Sequence, residues 1–319
     1  MENKGFYNAA LKQEFIESKS NLSAEDLYVY VFKKTAILEE PLDKDVCNFS
    51  LGEIADLMSV MGCGSLGSLE SRISVLRSYT QFCLAKNQVL DGQNHFDEVT
   101  KRMCMEYVDS VKQARSYISK QEVYSIVDRL PNAKDKYLVL APYEGIYGKN
   151  LCELIELTTD DILPDCAIKT CTGRVLPVTL KLYEIIVEAG NTYEYFSPDE
   201  KSRKLKQSNL IYKPIESVLT ADKANSKQLN VKLAKLKQYI DDMPVLGVGI
   251  LKRSGFYNGL YELSLKYSNL QFNDMLKQPE VKEWCNRYEI NQKSLALNTS
   301  YFKGHLDNFI RYAINEEKH

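Results

Sequence analysis

The sequence has few of the residues from which metal centres are built. Its three histidines, His95, His305 and His319, are far apart, and none of its eight cysteines belongs to a CxxC pair. Structural zinc sites need closely spaced cysteine or histidine ligands. The sequence therefore predicts no metal site and no cofactor. The cysteines are expected to be reduced thiols, most of them buried.

Long apolar runs are also missing. No stretch approaches the roughly 20 consecutive apolar residues that a membrane-spanning helix needs. The first residues, MENKGFYNAALKQEF, lack the basic-then-apolar order of a signal peptide. The composition, 44% hydrophobic and 26% charged, is near the average of globular proteins. We therefore expect a cytoplasmic protein with no membrane partner, long enough at 319 residues for two domains.

A strong net charge is absent as well, but the charge is unevenly distributed. The formal net charge is −2, with 11 acidic and 6 basic residues in positions 1–60. Positions 201–253 contain 12 lysines and arginines against 4 acidic residues. Such a basic segment could form a DNA-binding face. Charge alone is explained equally well by a solvated surface with a lysine-rich loop.

Residues 1–113 are predicted to form an all-helical domain. Ser50 and Glu53 have the spacing of a capping box, and a further helix is expected from His95 to Gln113. Another predicted helix covers 68–84 and has a polar face composed of Ser71, Arg72, Ser74, Arg77, Ser78 and Gln81. Short hydroxyls and arginines suit contacts with DNA phosphates. The same face could simply be the solvated side of an amphipathic helix.

Residues 114–319 are predicted to mix helices with a small sheet. Two β-like runs, 166–170 and 174–178, flank Thr172-Gly173, which favours a hairpin turn. Before them, an apolar helix ending near Pro142, a turn with Gly145 and Gly148, and a second helix at 150–157 are expected. After them we expect a helix at 179–190, a basic loop at 197–207 and a lysine-rich helix at 226–240.

Three stretches carry a resemblance to a known family. The stretch DKYLVLAPYEGIYGKNLCELIELTTDDI resembles the first catalytic box of the tyrosine recombinases, or phage integrases. The stretch GILKRSG resembles their second box, His-x-φ-Arg-His-Ser/Thr, and SLESRISVLRSYTQF resembles their core-binding domain. The resemblance implies a SAM-like, DNA-binding core-binding domain at 1–113 and a mixed α/β catalytic-type domain at 114–319.

The family's catalytic residues are replaced at most matching positions. The arginine of the first box corresponds to Tyr147, and the lysine of the family's β-hairpin corresponds best to Lys169. In the second box the first histidine becomes Gly249, the arginine becomes Lys252 and the second histidine becomes Arg253.

The nucleophile position of the family is less well defined. Tyr301 matches it best, with Tyr288 and Tyr312 as weaker matches. Trp284 and His305 are the candidates for a late histidine or tryptophan.

These replacements bear on the family's chemistry, which is phosphoryl transfer to a tyrosine. In the family, two arginines grip the non-bridging oxygens of the scissile phosphate. Lysine cannot make the forked contact of a guanidinium, and Tyr147 supplies no cation. Loss of one transition-state donor costs about 10²–10³ in rate. The resemblance therefore implies a recombinase-like protein without recombinase activity.

We accordingly expect a sequence-specific repressor that binds double-stranded operator DNA at prophage promoters and maintains lysogeny. Its two domains would close on opposite faces of the duplex, with the protein at the nucleoid and a phage regulatory protein as a further partner. The expected phosphate contacts are Arg72, Arg77, Lys169, Arg174, Lys252 and Arg253. Two alternatives stay open: an active recombinase with a divergent site, and a regulator that acts through another recombinase.

Overall fold

The chain divides into two compact units, which are described separately. A computed structural model provides the structure, and the units comprise Met1–Ala114 and Arg115–His319. The structure describes residues 5–19, 25–199, 201–218, 221–240, 246–291, 295 and 298–315.

The first unit is helical throughout its described residues. Its helices are α1 (Ala9–Glu17), α2 (Glu25–Leu42), α3 (Leu51–Met61), α4 (Leu66–Ala85), α5 (Lys101–Glu106) and α6 (Ser110–Ala114). Short 3-10 turns lie at Val46–Asn48 and His95–Asp97. The prediction of an all-helical N-terminal region is confirmed for these residues.

The long helix expected from His95 to Gln113 was wrong in its continuity. The segment is a 3-10 turn followed by α5 and α6. Thr100 begins α5, because its hydroxyl accepts a hydrogen bond from the Met103 amide. Farther along, the Asp109 amide donates to the Cys63 carbonyl at 2.8 Å, which interrupts the helical hydrogen-bond pattern.

The core of the first unit forms around α4. Tyr79 is fully buried and meets the rings of Phe15 and Phe32 edge-on at 5.4 and 5.0 Å. Edge-to-face packing is a favoured arrangement for aromatic rings. A buried ion pair joins Lys12 of α1 to Glu39 of α2 at 2.5 Å, with neither side chain exposed. The core thus ties α1, α2 and α4 together.

The second unit combines nine helices in its described residues with two small sheets. The helices are α7 (Lys120–Arg129), α8 (Ala133–Tyr143), α9 (Cys152–Glu156), α10 (Leu180–Asn191), α11 (Ser226–Lys235), α12 (Val248–Lys266), α13 (Phe272–Met275), α14 (Pro279–Arg287) and α15 (Thr299–Phe309). The strands are β1 (Ile162–Leu163), β2 (Ala167–Lys169), β3 (Val175–Pro177), β4 (Glu194–Phe196) and β5 (Ser202–Lys204).

The strands form two antiparallel sheets. One sheet has the order β1-β2-β3, with Ile168 opposite Leu176, and the other pairs β4 with β5. The predicted hairpin around Thr172-Gly173 is confirmed as β2–β3. The basic loop expected at 197–207 was wrong at residues 202–204, which form β5 and pair with β4, with Tyr195 opposite Arg203.

Helix α8 is the centre of the second unit. Almost all of its side chains are buried, and it packs against α7, α10, α11 and α12. It ends in a turn that needs left-handed backbone, with Gly145 at φ +87° and Gly148 at φ +62°. Glycine adopts this conformation without a steric penalty. The turn leads into α9 and thereby places the segment 144–153 beside α12.

The prediction of a mainly helical chain with a small sheet in a two-domain layout is confirmed. In the part of the chain that the structure describes, none of the helices combines the length and the apolarity that crossing a bilayer requires.

Candidate functional site

A cavity in the second unit brings together four of the residues singled out in the sequence. Gly249, Lys252 and Arg253 lie on the first turns of α12, and Tyr301 lies on the first turn of α15. The cavity measures about 310 Å³, and its other lining residues are Phe256, Tyr257, Ile290, Phe302 and His305. Two segments more than 40 positions apart in the chain thus meet at one place.

Tyr147 fills space beside this cavity where the resemblance predicts an arginine. Its hydroxyl donates to the Tyr288 carbonyl, and the side chain is 5% exposed. The ammonium of Lys252 lies 3.9 Å from the centre of the Tyr147 ring, which is a close cation–π contact. Burial raises the pKa of Tyr147, so the phenol stays neutral at neutral pH. Position 147 therefore supplies an aromatic ring that contacts the Lys252 ammonium, and it supplies no cation of its own.

Lys252 and Arg253 are the cations of the cavity. Both are partly buried, and burial lowers the pKa of Lys252. Among the described residues, no hydrogen bond from Lys252 or Arg253 to another protein group is found, and the Lys252 ammonium contacts the Tyr147 ring. A partly buried cation without a hydrogen-bonded partner has its donors available to an incoming anion. The cavity can therefore accept an anionic group such as a phosphate.

His305 belongs to the same cavity. Its Nδ1 atom is hydrogen-bonded to the Tyr117 hydroxyl, its ring stacks on Tyr257 at 5.7 Å, and Tyr301 meets it edge-on at 4.4 Å. Burial, followed by the charge of Arg253, lowers the pKa of His305 to about 4. The imidazole is therefore neutral at neutral pH.

The structure distinguishes between Trp284 and His305, the two candidates for the late histidine or tryptophan of the family. His305 lines the cavity, and the exposed Tyr301 lies one helical turn before it. Trp284 lies elsewhere: its indole donates to the Phe256 carbonyl at 2.9 Å, and its ring covers Gly259. The i, i+4 spacing of Tyr301 and His305, which would place both residues on one face of a helix, was the signal that could have identified His305.

Arg174 is engaged by the protein itself. It forms an ion pair with Glu153, which is fully buried, and also donates to the carbonyls of Arg287 at 2.8 Å and Gly145 at 3.2 Å. Burial alone would raise the pKa of Glu153, but the hydrogen bonds from Arg174 and Thr172 lower it below its usual value. Arg174 thus holds the β2–β3 hairpin onto the turn after α8. The predicted contact of Arg174 with DNA is still a prediction. Most of the N–H donors of Arg174 are already bonded to protein groups.

Lys169 lies outside the cavity. It is exposed on β2, next to the buried Ile168. Because strand side chains alternate between faces, burial of Ile168 turns Lys169 to the opposite side of the sheet. A phosphate contact of Lys169 would therefore belong to the outer surface of the hairpin.

Arg72 and Arg77 lie on the polar face of α4 in the first unit. Arg72 donates to the Met61 carbonyl at 2.7 Å and stacks over Tyr30 at 4.6 Å. Arg77 donates to the Phe96 carbonyl at 2.8 Å and pairs with Asp97 at 3.0 Å. An open depression of about 520 Å³ lies along this face, lined by Lys19, Ser74, Arg77, Ser78, Gln81, Phe82 and Asp97. Both arginines are partly exposed, so each can still present a cation to a ligand.

Metal ligation has no support in the part of the chain that is described. Those residues contain no group of three or more histidine, cysteine or acidic side chains placed to hold a metal ion. The chemistry on offer at the cavity is anion binding by one lysine and one arginine.

Comparison with known families accounts for most of the chain. Residues 6–85 match a family described as "MrpR, N-terminal core-binding domain", and residues 117–318 match "MrpR, C-terminal catalytic domain". These two domains indicate a recombinase-like DNA-binding fold. No curated protein matches the chain.

Proposed function

Because the chain belongs to the MrpR family, we propose that it is a sequence-specific repressor that binds double-stranded DNA through an inactive recombinase-like fold. It would bind operators at prophage promoters and maintain lysogeny. The sequences EGIYG in the first box and LKRSG in the other resemble, in combination, the master repressor of SPβ-type Bacillus prophages. The protein would act in the cytoplasm at the nucleoid, and a phage regulatory protein is a candidate second partner.

The proposal depends on one observation. The cavity contains two cations, but it lacks the pair of arginines with which the recombinase family grips a phosphate. Lys252 and Arg253 face a space of about 310 Å³, whereas Tyr147 occupies the place expected for an arginine. A lysine and an arginine can neutralise the charge of a DNA phosphate, which supports affinity. A cation covered by a phenol ring cannot provide a two-point grip on a phosphate in a transition state.

The neutral His305 supports the same proposal. Phosphoryl transfer needs groups that move protons at working pH, and such groups work best with a pKa near that pH. His305 has a pKa of about 4, so at neutral pH its imidazole is uncharged and is a poor general acid. If each missing donor lowers the catalytic rate by a factor of about 10²–10³, the remaining turnover is negligible.

The first experiment identifies the operator by pull-down of host genomic DNA with the full-length protein. Binding to a recovered fragment is then measured by fluorescence anisotropy at several salt concentrations. Arg253→Ala and Lys252→Ala are each expected to weaken binding and to reduce the slope of log Kd against log salt by about one.

Lys266→Ala provides the matched control, since it removes the same charge from the far end of α12. Lys266 is paired with Glu280 at 2.7 Å and lies outside the cavity. An unchanged salt slope in both cavity variants would remove the cavity from the DNA interface. Failure of the protein to enrich any prophage promoter would contradict the repressor proposal.

An active recombinase is the second candidate, and the position of Tyr301 favours it. Tyr301 is 56% exposed and opens on the cavity that contains Arg253. A nicked suicide substrate would trap a covalent tyrosyl–DNA adduct if the chain cleaves DNA, and Tyr301→Phe would abolish that adduct. Specific binding without any adduct is the result expected for a repressor.

A further inference from the structure

Two cysteines meet beside the buried Glu153. Cys152 is the first residue of α9, and Cys171 lies in the turn between β2 and β3. Thr172, which follows Cys171, donates to the carboxylate of Glu153, which follows Cys152, at 2.5 Å. Because these neighbouring residues bond to each other, the two thiols lie close enough for Cys152 to influence the protonation of Cys171.

This pair differs from the other cysteines in accessibility. Cys171 is exposed and Cys152 is partly exposed, whereas five of the remaining six cysteines are buried. Burial and the contact with Cys152 raise the pKa of Cys171 to about 12. Cys171 therefore stays a thiol at neutral pH, and we assign it the second step of the chemistry that follows.

We propose that Cys152 and Cys171 are a redox-active dithiol that hydroperoxides convert into a reversible disulfide. The sulfur of Cys152 attacks the peroxide, breaks its O–O bond and becomes a sulfenic acid, with water (or an alcohol) as the product. The sulfur of Cys171 then displaces water from that sulfenic acid and forms the S–S bond. Two thiols lose two electrons and two protons, and the peroxide is reduced by the same two electrons. In reducing cells such disulfides are transient and typical of redox sensing.

Other pairings are disfavoured by burial or by distance. Cys47 and Cys83 also contact each other, but they are 3% and 0% exposed in the core of the first unit. Cys166 and Cys171 lie at opposite ends of β2. The three extended residues of β2 lie between them and, at roughly 3.3 Å each, hold the two α-carbons about 10 Å or more apart, which is beyond the reach of a disulfide.

The disulfide would act on a predicted DNA contact outside the cavity, and this consequence rests on the proposed function. It would fix the hairpin turn against α9 across the contacts that Thr172 and Arg174 make with Glu153. The turn follows directly after Lys169, a predicted phosphate contact. Fixing the turn against α9 restricts the hairpin, so the oxidised protein should bind its operator more weakly.

The first test treats the full-length protein with hydrogen peroxide, alkylates the free thiols and maps the peptides by mass spectrometry. A peptide pair linked through Cys152 and Cys171, lost on reduction with dithiothreitol, is the expected result. Cys171→Ser should leave a sulfenic acid on Cys152 that dimedone traps, and Cys166→Ser should leave the cross-link intact. Absence of the linked peptides, or equal cross-linking through Cys166, would overturn the proposal.

The second test compares operator binding by reduced and oxidised protein. Oxidation should weaken binding by about fivefold or more, and Cys171→Ser should remove the difference. Equal affinities of the two forms would overturn the regulatory consequence and leave the dithiol chemistry standing. Failure of the reduced protein to bind DNA at all would instead count against the proposed repressor function, and the peptide mapping would be unaffected.

Discussion

At the residue scale, His305 is held neutral by its surroundings. Burial, followed by the positive charge of the nearby Arg253, disfavours a second proton on the imidazole. An unfolded chain exposes the same histidine to water, where its pKa returns to about 6.5. The folded and unfolded states therefore bind different numbers of protons in acid, which links stability to pH.

We expect the folded state to lose stability as the pH falls from about 6.5 to about 4. Within this range the unfolded chain binds a proton that the folded chain, with the His305 pKa at about 4, does not. Urea unfolding followed at several pH values measures the effect. His305→Gln should make the curve of stability against pH flatter in this range, and parallel curves for the variant and the wild type would contradict the assignment.

Arg174 shows what could not be predicted from the sequence at the scale of single residues. The replacements at Tyr147, Gly249 and Lys252 could be named by matching the two boxes, and the structure brings these residues together. The ion pair between Arg174 and Glu153 could not be predicted from the sequence, because it depends on how the hairpin packs against α9. A charged residue in a sequence gives no sign of whether its partner is a buried carboxylate or an external phosphate.

At the element scale, α12 approaches its neighbours through glycines. A methyl group on Gly255 would collide with the Tyr143 carbonyl, and one on Gly259 would collide with the Trp284 ring. Gly249, on the first turn of the same helix, has nothing within 4 Å of the corresponding position. The close contact of α12 with α8 and α14 therefore depends on two of its glycines.

Alanine substitutions along α12 should separate packing from helix propensity. Gly255→Ala and Gly259→Ala are each expected to destabilise the protein by about 1–3 kcal/mol or more, because the new methyl group must displace the Tyr143 carbonyl in one case and the Trp284 ring in the other. Gly249→Ala should be neutral or stabilising by at most about 1 kcal/mol, since alanine favours helix. Urea denaturation provides the comparison. Equal stability of Gly249→Ala and Gly255→Ala would refute the packing argument.

Elements with strong periodicity were the ones that the sequence identified well. The helix at 68–84 and the hairpin around Thr172-Gly173 have clear apolar patterns or turn signals, and both are present. The β4–β5 hairpin was missed because its basic residues suggested a loop. Its pairing is supported by burial of Tyr195, whose hydroxyl donates to the buried Asp135 at 3.0 Å, a tertiary contact that local sequence does not reveal.

At the scale of the whole molecule, the first unit has a core of its own. Its buried cluster extends from Phe6 to Cys104 and includes no residue beyond position 114. A domain with a separate hydrophobic core can in principle fold alone. The family match to residues 6–85 lies within the same part of the chain.

A fragment of residues 1–114 is therefore expected to fold without the rest of the chain. Circular dichroism should show a helical spectrum, and urea should unfold the fragment in a single cooperative transition. Phe32→Ala, which removes a fully buried ring, should lower its stability by about 3–5 kcal/mol. A fragment with no helical signal would show that the first unit depends on residues outside it.

The two-domain layout was predictable because it follows from long-range resemblance as well as local pattern. The core-binding and catalytic-type boxes indicated the order of the domains, and a chain of 319 residues has room for both. The role of the protein is a different matter. A repressor and a recombinase can share every helix and strand and differ only in a few side chains at one cavity.

The contact between Tyr147 and Lys252 also bears on how such a protein can evolve. Arginine placed at position 147 by itself would bring a second cation to the ammonium that now rests 3.9 Å from the ring centre, and like charges in a half-buried space repel. It would also abandon the phenol's bond to the Tyr288 carbonyl. That substitution alone would thus lower the stability of the protein, so a return to arginine at position 147 requires a compensating change at Lys252.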